Sequence, residues 1–223
     1  MTMKPILYSK KVALGSGIIG GIAGGSVMYG MMSILMTQIG MGANCFAIIM
    51  GLITGQSYEN ALYPGITAHF LTSIAIGVAF GAIINVKKLQ IHGFGKGIGL
   101  GVATGIIAFA VIFVPIAMTV LPAHMMDLIK MMPMGNNMGM PEKGASGDSM
   151  SGKTGMADQK MNEKSPMDEK TKMEEMNKMM MDQTQKLFPM ILAGALVSHI
   201  AFGAALGAVV TPIVKRSAVR SGR

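Results

Sequence analysis

Residues 12–37, 61–86, 96–121 and 187–214 form four long apolar stretches with few charges. Crossing a bilayer's hydrocarbon core takes about 20 mostly apolar residues at about 1.5 Å of rise each. All four stretches exceed that length and leave some for tilt. Within lipid, every backbone N–H and C=O has to be paired inside its own segment, so such stretches are expected to be helices. The expected fold class is all-α, a polytopic membrane helical bundle with four transmembrane helices. The first stretch is too long for a signal peptide and lacks a small-x-small cleavage site.

Charge sets the expected orientation. Lys4, Lys10 and Lys11 precede the first span, Lys87, Lys88 and Lys96 fill the 87–96 loop, and Lys215, Arg216, Arg220 and Arg223 follow the fourth span. No acidic residue lies among them. All 11 acidic residues fall on the other side, Glu59 in the first outer loop and the rest between 122 and 187. The positive-inside rule then places both termini in the cytoplasm and the protein in the cytoplasmic membrane. The net charge of +8 is mostly a property of the inner face. That suits anionic lipid and not nucleic acid. A single cysteine, Cys45, excludes an internal disulfide.

Three regions are expected. Residues 1–121 hold three spans and a short outer apolar segment, "ANCFAIIMGLITG" at 43–55, too short to span and suited to a re-entrant or interfacial helix. Residues 122–187 form a Met-rich extracytoplasmic loop. Its middle, "PEKGASGDSMSGKTGMADQK", reads as disordered, and its end, "SPMDEKTKMEEMNKMMMDQTQK", as an amphipathic helix leading into the last span. Residues 188–223 carry the fourth span and a basic cytoplasmic tail.

The spans look duplicated. His69, Ser73, Gly77, Gly81 and Asn85 follow one another at four-residue steps, as do His199, Gly203, Gly207 and Thr211. A shift of 130 residues superposes the two histidines, Gly77 on Gly207 and Ile83 on Ile213. Gly17, Gly21 and Gly25 correspond to Gly97, Gly101 and Gly105. A two-helix unit repeated once with the same polarity predicts pseudo-twofold symmetry about the membrane normal. Rows of small residues let helices lie close; they identify no chemistry.

His69 and His199 are the candidate site residues within the spans. Each sits roughly 13–18 Å below the outer end of its helix, inside the hydrocarbon. An ionisable residue there is a functional candidate facing the bundle interior, although a neutral imidazole also serves as a plain interhelical hydrogen bonder. His124 stands at the outer mouth of the third span in "LPAHMMD", and His92 in the inner loop is expected to be solvated.

Methionine is the remaining signal. Of 26, 16 lie between 122 and 187, including Met125, Met126, Met131, Met132 and Met134 beside His124. The stretch "MMPMGNNMGM" at 131–140 is punctuated by Gly, Pro and Asn and has no evident core to fill. Met28, Met32 and Met36 recur at four-residue steps, continuing the row of Gly20 and Gly24, and Met50 and Met118 could join the same zone. Three accounts compete: adaptable packing or membrane-surface contact, capture of a soft ion, and oxidant scavenging through the sulfoxide or compositional drift. Thioethers bind Cu(I) and similar soft ions but compete poorly for Mg, Ca or Zn, and neutral imidazole suits copper as well. The MxxxM row resembles the methionine row of Ctr-type copper-uptake channels, which differ in having three spans and a Met-rich N-terminus.

The stretch "AHFLTSIAIGVAFGAIINVKKLQIHGFGKGIGLGVATGIIAFAVIFVPIAMTVLPA", residues 68–123, resembles the middle of YagU-like inner-membrane proteins. The shared pattern is an outer His opening a span, a basic inner loop, a Gly-rich span and an apolar ending with prolines. It is a pattern of spans and implies no defined activity; the Met-rich loop and the lack of Trp depart from it.

The leading expectation is a membrane protein that binds or transports a soft metal ion, Cu(I) foremost. The loop would collect the ion, Met28, Met32 and Met36 would relay it, and the histidine pair would hold it. The alternatives are an accessory subunit, docking by glycine faces as a homo-oligomer or in a larger and copper-dependent membrane complex, and a small-solute or proton channel constricted at the histidines. No phosphate-binding loop, nucleophile–base pair or redox-cofactor motif is visible, so an enzyme is not expected.

Overall fold

The structure, a computed structural model, describes residues 9–38, 43–123 and 166–221. Helix α1 is Lys10–Gln38, α2 is Cys45–Thr54 and α3 is Tyr58–Ile83; a 3-10 turn, Lys87–Leu89, leads to α4, Phe94–Ala108. A π-helical turn, Phe109–Phe113, joins α4 to α5, Val114–Ala123, and α6 is Pro166–Ser221. The chain is all-α among the described residues, and four helical stretches are long and apolar enough to cross a membrane: Lys10–Gln38, Tyr58–Ile83, Phe94–Val120 and Phe188–Ala218. It is a multi-pass membrane protein. Large side chains such as Ile19, Ile34, Leu71, Ile107 and Val111 are more than half exposed and suit contact with lipid tails. The chain separates into two compact units, one of Met1–Met138 with Leu192–Arg223 and one of Gly139–Ile191. The helix expected over 165–186 begins at Pro166 and is the first part of α6. Glu59, expected in a loop, stands in the first turn of α3, where the helix dipole favours an acid.

Missing side chains bring the helices together. A Cβ on Gly17 would overlap the Gly77 carbonyl oxygen, and one on Gly81 the Ala13 carbonyl oxygen. On Gly21 it would lie 2.5 Å from the Ser73 carbonyl oxygen. Thus α1 and α3 run antiparallel along one backbone-to-backbone seam. The second seam has the same register: Gly101 faces Gly203, Gly97 faces Gly207 and Gly105 faces the backbone of His199. Gly17–Gly77 therefore maps on Gly97–Gly207, and Gly25 beside His69 maps on Gly105 beside His199. The duplication read from residue spacing is present in the packing.

The two hairpins are not joined symmetrically. On one side Gly20 and Gly24 admit Leu206, Val210 and Phe202 of α6 against α1. Eighty residues on, the equivalent positions are Leu100 and Thr104, which carry side chains. Helix α2 lies against α3 and also touches α5.

α2 owes its position to its ends. Asn44 caps it, its Oδ1 accepting from the N–H groups of Phe46 (2.9 Å) and Ala47 (3.3 Å), which satisfies two donors that a helix start leaves open. The same residue donates from its backbone N–H to Tyr58 Oη and from Nδ2 to Tyr29 Oη, each at 2.9 Å. Gly55 ends the helix at φ 70°, a left-handed conformation that favours glycine. The Phe46 carbonyl fits against Gly65, where a Cβ would overlap it.

Cys45 opens α2 and is buried, and desolvation pushes its thiol up to about 12. At pH 8 almost none of the thiol would then be present as the reactive thiolate. Maleimide labelling in mild detergent is expected to be slow and to become fast after SDS unfolding. Because the unfolded thiol titrates near pH 8.5 and the folded one later, the fold should lose stability as pH rises from about 8.5 toward 12. Equal labelling in both states would contradict this.

Candidate functional site

His69 and His199 border one half-open cavity of about 190 Å³. Met28 of α1 and Phe202 of α6 line it, as do Phe46, Ile49, Met50 and Ile53 of α2. The α3 wall runs from Gly65 to Ile76, and Ile112, Phe113 and Ile116 close the side of the third span. The walls are chiefly apolar. The space is below the roughly 300 Å³ at which pockets for drug-sized molecules begin.

Each imidazole is held by a backbone carbonyl. His69 Nε2 lies 3.0 Å from the Gly25 carbonyl oxygen on the neighbouring helix, and His199 Nδ1 lies 2.7 Å from the Ala195 carbonyl oxygen in its own helix. A carbonyl only accepts, so both nitrogens donate as N–H. In the neutral rings the other nitrogens, Nδ1 of His69 and Nε2 of His199, are bare lone pairs. Neither has a partner among the described residues, and since no buried side-chain nitrogen or oxygen among them lacks one, both of these nitrogens are accessible. This is how metal-binding histidines are commonly oriented: one ring nitrogen on a carbonyl, the other free to bind.

Aromatic rings fix both imidazoles further. Phe46 stacks on His69 with centroids 4.0 Å apart, and Phe70 meets it edge-on at 5.2 Å. Phe109 meets His199 edge-on at 5.4 Å, with Phe113 at 5.8 Å. Tyr29, at 6.4 Å from His69, stands eighty positions before Phe109, so the duplication extends to the aromatic flank. Phe109 and Phe113 are the first and last residues of the π-helical turn, which ends two residues before Pro115. Proline lacks the N–H that would pair with the carbonyl four residues back, and a wide turn accommodates the break.

The expected site residues divide into three groups. His69, His199 and Met28 meet at the cavity, as does Met50. Met32 and Met36 do not line it: they are buried at 5% and 7% exposure in the apolar core. They stand one and two turns beyond Met28, roughly 6 and 12 Å farther along the axis. Met118 is 56% exposed. His124, Met125, Met126, Met131, Met132 and Met134 lie outside the described residues. Among the described residues no three His, Cys, Asp or Glu come together as a metal-binding group; besides the two imidazoles the cavity offers the thioethers of Met28 and Met50 and the hydroxyl residues Thr72 and Ser73. Phe46, Tyr29 and Asn44 escaped the sequence reading, although Asn before an apolar run and Gly after it is a helix-cap signature.

No protein-family model, curated protein or solved structure matches this chain.

Proposed function

We propose that this protein binds and passes a soft metal ion, Cu(I) foremost, in the cytoplasmic membrane, with both termini on the cytoplasmic side. The observation that carries the reading is the pair of imidazoles on one cavity, each with its N–H on a carbonyl and its other nitrogen unpartnered. Neutral imidazole with thioether in an apolar setting favours a soft monovalent ion over a hard divalent one. The methionines of 122–187 would gather the ion ahead of the cavity.

The test is metal retention by the full chain in mild detergent, titrated anaerobically with Cu(I), Ag(I), Zn(II) and Mg(II). Cu(I) and Ag(I) should be retained through a competing chelator, and Zn(II) and Mg(II) lost. Failure to hold either soft ion, or equal retention of all four, would end the proposal.

A further inference from the structure

Resting on the soft-metal reading, we propose that Met28 and Met50 are thioether ligands of the bound ion. With His69 Nδ1 and His199 Nε2 they form a two-nitrogen, two-sulfur set drawn from four different helices. Among the described methionines these two alone border the cavity that the imidazoles share. Met28 reaches it from α1, at the point where the row of Gly20 and Gly24 gives way to larger side chains. Met50 reaches it from α2.

The neighbouring methionines are a built-in contrast. Met28, Met32 and Met36 share one helix row and one buried core, and of the three only Met28 also lines the cavity. If methionine served here only as adaptable filler, all four would respond alike to replacement by leucine. A ligand role separates them.

Met50 needs α2 to hold it in place. Asn44 ties the start of that helix to Tyr29 on α1 and Tyr58 on α3, and the Phe46 carbonyl is seated against Gly65. The α2 segment is too short to span the bilayer; its place in the fold is to supply the cavity's fourth wall and, with it, a sulfur. The set pairs two borderline nitrogens with two soft sulfurs and contains no carboxylate, so hard cations find no oxygen donor in it.

The experiment uses the full chain in mild detergent, Cu(I) as the probe, and Met→Leu replacement, which keeps bulk and apolarity. M28L and M50L should each weaken Cu(I) binding at the histidine-dependent site by roughly tenfold, equal to about 1.4 kcal/mol. Each should also remove one sulfur from the copper X-ray absorption signal. M32L and M36L should leave both readouts unchanged. Histidine-dependent binding that M28L and M50L do not alter would overturn this ligand assignment and leave the soft-metal reading standing. A wild-type chain that binds no Cu(I) would overturn both. Equal losses in all four leucine variants would mark methionine as packing and also overturn the assignment.

Discussion

Gly101→Ala is expected to unseat the seam between the third and fourth spans, at a cost near 3 kcal/mol. The added Cβ would fall on the Gly203 carbonyl oxygen and within 3.0 Å of the Gly207 backbone. Overpacking usually costs about 1–3 kcal/mol because side chains give way; here only backbone is in the way, so the upper end applies. Gly77→Ala should cost as much, since its Cβ would fall on the Gly17 carbonyl oxygen in the equivalent seam. Gly20→Ala should cost less. Its Cβ would meet side-chain carbons of Val210 and Leu206 at 2.7 and 2.8 Å and the Leu206 carbonyl oxygen only at 3.2 Å, so small side-chain shifts relieve more of the overlap. Gly99→Ala has nothing within 4 Å and should be neutral or slightly stabilising, alanine being the better helix former. SDS-driven unfolding in mixed micelles ranks the four. If Gly99→Ala is as harmful as Gly101→Ala, the seams are not what holds the bundle.

The second large effect concerns the histidines, which differ in what else they do. His69→Ala removes a hydrogen bond between α1 and α3, worth about 1 kcal/mol. His199→Ala removes a hydrogen bond within its own helix and the ring contacts with Phe109 and Phe113, but no hydrogen bond between helices. Both should weaken Cu(I) binding by at least roughly 100-fold, the upper end of what even outer-shell partners of metal ligands cost. The double variant should add little, because paired ligands act as one unit. His69→Gln separates the roles: its amide N–H can still reach the Gly25 carbonyl, while an amide is a poor ligand for a soft ion. It should recover the lost stability and not the copper. Recovery of copper binding along with stability would reduce His69 to a structural role.

The four spans and the two seams were legible because their signals are one-dimensional. Length and apolarity mark a span, and a four-residue step marks a face, so Gly17 with Gly97 and His69 with His199 stand out as repeats in the sequence itself. The joining of the two hairpins was not legible. It depends on Leu100 and Thr104 carrying side chains where Gly20 and Gly24 have none, a difference whose meaning needs the third dimension. The methionine row was legible only as a row, for a related reason. A face fixed by four-residue steps says nothing about height, and the cavity sits at the level of Met28, one turn short of Met32. The site's fourth wall rests on Asn44 bridging two tyrosines from separate helices, a relation no local pattern carries. The π turn had a single herald, Pro115.

The seams have a consequence for how such a protein can vary over time. A contact made by omission asks of each position only that nothing be there, and asks nothing of its neighbours beyond being greasy. Positions 17, 77, 101 and 203 are locked to one letter of the alphabet, whereas Ile19, Ile107 and Val111, facing lipid, can be exchanged among aliphatic residues at little cost. Two chains with this same bundle could share few identical residues beyond the glycines. Their kinship would be carried by intervals, a rhythm of fours and the offsets of 80 and 130 between paired rows, and a search that counts matching letters would pass over it.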